Sequence, residues 1–196
     1  MKKSLTALAL IAAGVAAAPA FAQDGGATNG WFVNGNVGQA SVNKGPYDDS
    51  DTGYAVNGGY RWAVSPSALL GVEVGYNDLG NIKLKNVFNS DPVVAHDKSH
   101  LHGWTAGVNG HFNFTPNWYA SARAGIYGWT GHGVNDNGTA PVRISADNTD
   151  WYGGVGFGYD FSNNFGVGLN YDYYKADNKG LDLSTDMWSV SAEYRF

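Results

Sequence analysis

Cysteine is absent from all 196 residues, so neither a disulfide nor a thiolate metal site can hold this chain together. Leucine is scarce while glycine supplies 28 residues, a balance that disfavours a helical bundle and suits closely spaced strands. Beyond residue 22 no apolar run approaches the roughly 20 residues that a membrane-spanning helix needs. Basic side chains are also few. Without Lys2 and Lys3, ten of them face 17 acidic ones, a net charge of −7 that excludes the basic footprint of a nucleic-acid binder. Stability must come from strand pairing and from the solvent that the strands face.

What the sequence does have is alternation. In MWSVSAEYRF, residues 187–196, Trp188, Val190, Ala192, Tyr194 and Phe196 share one parity, and Met187, Ser189, Ser191, Glu193 and Arg195 the other. A strand with lipid on one side and a lumen on the other reads this way. At the opposite end, Lys2 and Lys3 precede a short apolar run from Leu5 to Ala18, and Ala20-Phe21-Ala22 offers small residues two apart. We read residues 1–22 as a secretory signal peptide cleaved after Ala22, and 23–196 as the mature domain.

Parity predicts eight strands, near 31–40, 53–64, 69–79, 101–114, 118–129, 151–160, 165–174 and 187–196. Three tight turns, Val64-Ser65-Pro66-Ser67, Thr115-Pro116-Asn117 and Ser162-Asn163-Asn164, alternate with four long polar segments near 41–52, 80–98, 130–149 and 175–186. The expected fold is all-β: an eight-stranded antiparallel transmembrane β-barrel with short periplasmic turns, long outer loops and both mature termini periplasmic. The apolar parity, including Tyr54, Val56, Trp62, Leu70, Val72, Val74 and Tyr76, would face lipid. Trp62, Trp118, Trp129, Trp151 and Trp188 read as interfacial aromatics. The charged parity must face the lumen, because a bare charge in hydrocarbon costs several kcal/mol.

The third strand, Gly71-Val72-Glu73-Val74-Gly75-Tyr76-Asn77-Asp78-Leu79-Gly80, is similar to that of OmpA-like membrane domains, and Glu193-Tyr194-Arg195-Phe196 resembles the ending of OmpX/Ail-type proteins. The resemblance spans the mature chain. It implies a place in the bacterial outer membrane and a structural and surface-interaction role, in adhesion or envelope integrity, through loops that meet a host or surface ligand. It also implies that Tyr194 and Phe196 form the terminal signal read by the barrel assembly machinery. No enzymatic activity and no cofactor are expected.

Eight strands enclose a lumen just wide enough for their own side chains. Arg61 and Glu73 are equidistant from a turn centred on Ser67 and are expected to face each other as an ion pair. Arg123, Glu193 and Arg195 would join them in a plug, since unpaired charges there are costly. The resemblance to OmpA supplies an alternative, a gate whose pairs exchange to give a narrow, porin-like ion channel. A lipid A-modifying enzyme is a further alternative. Barrels resembling the lipid A deacylases place a His and a Ser two residues apart on an outward strand face, whereas here the corresponding pair is His100-Leu101-His102 and Ser99, adjacent to His100, points to the opposite face.

His100 and His102 share a face and are weak candidates as metal ligands, with His96 nearby; no third ligand is fixed by spacing, so no metal site is expected. Asp48-Asp49-Ser50-Asp51 resembles part of a calcium loop but lacks the distal bidentate Glu. Lys44, Lys83, Lys85, Lys98, Lys175 and Lys179 all fall in or beside the predicted outer loops, where they could meet lipopolysaccharide phosphates.

Overall fold

The computed structural model describes residues 28–44, 47–83, 98–136, 141–162, 164–178, 181–182 and 184–196. Its strands are β1 (Gly30–Lys44), β2 (Tyr47–Ser65), β3 (Ala68–Lys83), β4 (Lys98–Asn113), β5 (Trp118–Asp136), β6 (Pro141–Asp160), β7 (Phe165–Tyr174), β8 (Asp177–Asn178), β9 (Leu181–Asp182) and β10 (Thr185–Arg195). Strands β1–β7 and β10 form one closed antiparallel barrel of eight, in which β10 pairs with both β7 and β1; β8 and β9 make a small separate hairpin. Closure leaves no sheet edge within the barrel, the condition for backbone to cross lipid.

Following partners once round the barrel from Trp31, through Tyr60, Val72, Val108, Ala124, Gly153, Tyr173 and Asp186, returns to β1 at Ser41, ten residues along the strand. With a rise of about 3.3 Å per residue and strands about 4.8 Å apart, that stagger tilts the strands by roughly 40°.

The apolar parity faces outward. Trp31, Tyr54, Val56, Trp62, Leu70, Val72, Val74, Tyr76, Trp151, Leu169, Trp188 and Phe196 are all exposed on the barrel wall. Trp129 departs from this pattern. It is 1% exposed and lies inside, with its indole Nε1 donating to Asp150 Oδ2 at 2.9 Å. Its parity on β5 is that of Arg123 and Tyr127, so the strand's own alternation places it there.

Two of the four long segments are strand rather than loop. β1 and β2 remain paired out to Lys44 and Tyr47, and β5 and β6 out to Asp136 and Pro141. At the tilt above, the 20 residues of β6 reach about 50 Å along the barrel axis, against an apolar band of roughly 25 Å. The Asp48 to Asp51 run therefore lies in a paired strand opposite β1, not in a calcium-type loop.

Candidate functional site: the barrel interior

The inward parity builds a stack of layers. Nearest the tight turns, Asp160 accepts from Asn113 Nδ2 at 2.9 Å, sits 3.1 Å from His111 Nε2 and pairs with Arg195. One layer further in, Arg61 makes a two-pronged bond to Glu193, Nη1 to Oε1 at 2.6 Å and Nη2 to Oε2 at 3.0 Å. Arg195 Nε lies 3.3 Å from the same carboxylate, and the Arg61 guanidinium stacks 3.9 Å over the Phe32 ring. Arg61 Nε donates to Asn109 Oδ1 at 2.6 Å, and Asn109 Nδ2 donates to Glu73 Oε2 at 3.0 Å. Glu73 also accepts from the Tyr152 hydroxyl at 2.8 Å, while Arg123 forms a separate pair with Asp172, Nε to Oδ1 at 2.6 Å. Fork-to-fork pairs of this kind join charge to geometry, and each buried charge here is met by a partner.

Glycine supplies the room. A Cβ on Gly107 would lie 2.7 Å from the Tyr152 hydroxyl, and one on Gly71 2.7 Å from Arg61 Cγ. Bare backbone at those positions lets long side chains cross the lumen. The space left among Arg61, Glu73, Asn57, Asn170, His111 and Arg123 amounts to about 30 Å³, enough for a water molecule or two.

Above the charges, on the side of the long segments, the interior turns apolar. Val42, Leu79, Leu101, Tyr127, Trp129, Tyr174, Ala176 and Met187 are at most 2% exposed and pack as one cluster together with Ala40 and Tyr152.

The expected contact between Arg61 and Glu73 does not form. Arg61 lies opposite Gly71, and Glu73 opposite Gly59, because the β2–β3 turn is Pro66-Ser67 and the register shifts between Ala63 and Ser65. The extra residue moves the centre of the hairpin, and Asn109 from β4 joins the two instead. Arg61, Glu193 and Arg195 do come together. Arg123 lies in the same lumen but binds Asp172. Asp160, Asn109 and Tyr152 complete the network. Their inward parity was readable, whereas their partners, two or more strands away, depend on the stagger of the closed sheet.

Tyr194 and Phe196 are outward and exposed, with rings 5.0 Å apart, and Phe196 N donates to Trp31 O at 3.0 Å across the closing seam. His102 is on the outward parity of β4, its ring 6.2 Å from that of exposed Tyr76. Among the described residues no group of three or more His, Cys, Asp or Glu could hold a metal ion. Lys44 closes the β1–β2 ladder, Lys83 and Lys98 are register partners, and Lys175 follows β7 with its N donating to Trp151 O at 3.0 Å. Lys85, Lys179, His96 and residues 1–22 lie outside the described residues.

The family model described as "Outer membrane protein beta-barrel domain" matches residues 7–196. The fold is similar to that of Ail, the attachment invasion locus protein of Yersinia pestis, at 16% identity, covering 86% of this chain and 99% of that one, with a TM-score of 0.57. Ail in complex with the heparin analogue sucrose octasulfate matches at 14% identity over 86% and 97% of the two chains, TM-score 0.54. Neisserial surface protein A matches at 13% identity over 88% and 100%, TM-score 0.52. No curated protein matches by sequence.

Proposed function

This chain belongs to the outer membrane protein beta-barrel domain family, and we propose that in the bacterial outer membrane it is an electrically silent, non-enzymatic barrel with a structural and surface-interaction role. The carrying observation is the filled interior: ion pairs below, a buried and mainly apolar layer above, and a gap of about 30 Å³ between the polar side chains. The tight turns and both termini face the periplasm in this reading, and the long hairpins face outward, the asymmetry usual for such barrels.

The ligand is met by the long hairpins. Beyond the barrel, β6 from residue 141 to 147 has β5 on one side and, among the described residues, no strand partner on the other, so its backbone groups form an open edge that a strand from another chain can extend. Charge argues against carrying over the heparin analogue seen with Ail. The four segments hold ten aspartates against six lysines and one arginine, which favours a basic surface as partner. The lysines, interleaved with those aspartates, are left to meet lipopolysaccharide phosphates.

The test is conductance of the refolded chain, residues 23–196, in planar bilayers, together with binding of expressing cells to surfaces before and after deletion of residues 133–144. Silence with loss of binding supports the reading; regular conductance steps overturn it. A narrow channel is the second reading, favoured by the placing of Glu73 one Asn109 bridge from Arg61, so that a second carboxylate stands ready if the Glu193 pair opens.

A further inference from the structure

We infer that the barrier to ions in this barrel is the apolar layer at its long-hairpin end, clamped shut by Asp150, and not the ion-pair network below it; the inference rests on the reading of the barrel as electrically silent.

The two halves of the lumen differ in what they offer an ion. Below, Arg61, Glu73, Asn109, Glu193 and their neighbours present charges, amides and a water-sized gap. An ion passing there exchanges one polar partner for another. Above, Leu79, Leu101, Trp129, Ala176 and Met187 are each at most 1% exposed and come from five different segments of the wall and its last connection. Asn77 and Thr185 are the polar side chains buried at this level, too few to replace an ion's hydration shell, and narrow, mainly apolar passages disfavour water itself.

Asp150 holds this layer closed. One carboxylate oxygen, Oδ2, accepts from the Trp129 indole at 2.9 Å and from the backbone N of Asp177 at 3.1 Å. A single side chain on β6 thereby fixes the largest member of the layer and the start of the last connection. Asn148 Nδ2 adds a bond to Asp177 O at 3.1 Å, and Ala176 N donates to Ser184 Oγ at 3.3 Å, so the segment from Ala176 to Asp177 is tied on both sides with Ala176 fully buried beneath it.

The experiment compares five proteins refolded from residues 23–196, each checked for heat-modifiable migration before recording in planar bilayers with potassium chloride. Wild type reports on the silent-barrel reading alone. The pair Arg61→Gln with Glu193→Gln removes the central lower ion pair as a unit, leaving Arg195 still paired with Asp160 and Arg123 with Asp172; Leu101→Ser with Trp129→Ser wets the upper layer; the fourth protein carries all four substitutions. The lower double variant is expected to stay as silent as wild type, and the upper double variant to raise conductance at least tenfold. Asp150→Ala is expected to raise it in brief openings while keeping the fold. A folded upper variant that stays silent even in the fourfold background overturns the inference, as does a lower variant that conducts as well as the upper one. Conductance by wild type overturns the silent-barrel reading instead. In that event a further rise in the upper variant only still supports the apolar layer as the barrier, and a rise in the lower variant only still overturns it.

Discussion

Glu193 receives both Arg61 prongs and lies 3.3 Å from Arg195, while Glu73 is met by an amide and a phenol. The two carboxylates are equally buried, so removing them differs in what is left behind. Glu193→Ala strands a guanidinium in the lumen, for which about 3–5 kcal/mol is the usual cost of breaking a buried pair from one side. Glu73→Ala strands neutral groups, each costing about 1–3 kcal/mol at most. Urea unfolding in lipid vesicles is expected to rank Glu193→Ala as the more destabilised, and a double-mutant cycle to give strong coupling of Arg61 with Glu193 and weak coupling of Arg61 with Glu73. Trp129 carries a second expectation at this scale. Fluorescence of a single-tryptophan protein retaining Trp129 is expected to resist quenching by brominated lipid, whereas one retaining Trp188, 66% exposed on the wall, is quenched.

At the scale of the element, the β5–β6 ribbon is where barrel and surface function separate. Gly133–Asp136 pair with Pro141–Ile144, beyond Gly131, the last residue of β5 that has a β4 partner. Deletion of residues 133–144, with a two-residue turn in place, is expected to leave heat-modifiable migration intact and to change the unfolding free energy by less than about 1 kcal/mol, since long connections cost little to shorten. The ribbon also marks where the sequence stopped being legible. Inside the bilayer, alternation of Tyr54, Val56, Trp62 and Val64 against Asn57 and Arg61 reports both strand and face, because lipid penalises every exception. Beyond the apolar band the alternation vanishes from the sequence of residues 130–149, and paired strand reads as polar loop. Within the lumen, parity identified the inward set but not its contacts: one extra residue near Val64 was enough to take Glu73 away from Arg61. The inward Trp129 was obscured by its proximity to a predicted strand end, where tryptophan ordinarily marks the interface.

At the scale of the whole molecule, the outward aromatics set how thick a membrane the barrel fits. Tyr54 and Trp62 on β2, Trp151 and Tyr159 on β6, Phe165 and Tyr173 on β7, and Trp188 and Phe196 at the end of the chain are each eight residues apart on the outward parity. The rings of neighbouring strands meet at both levels: Tyr171 with Trp188 and Trp151 with Tyr173 near the long hairpins, and Phe114, Phe157, Trp118 and Tyr159 near the turns. At about 3.3 Å per residue and a tilt of roughly 40°, eight residues separate the two belts by about 20 Å along the axis. That is well below the roughly 30 Å hydrocarbon thickness of an average bilayer, and each ångström of mismatch costs a fraction of a kcal/mol. The tilt is locked by the ten-residue stagger and the interior is packed against change, so the protein cannot adapt by leaning; the lipid must thin. Folding from urea into vesicles of phosphatidylcholines with 10, 12, 14 and 16 carbons is therefore expected to slow by at least tenfold from the shortest to the longest chain, with unfolding free energy falling in the same order. Equal rates across the series would mean that the aromatic rings do not mark the membrane boundary.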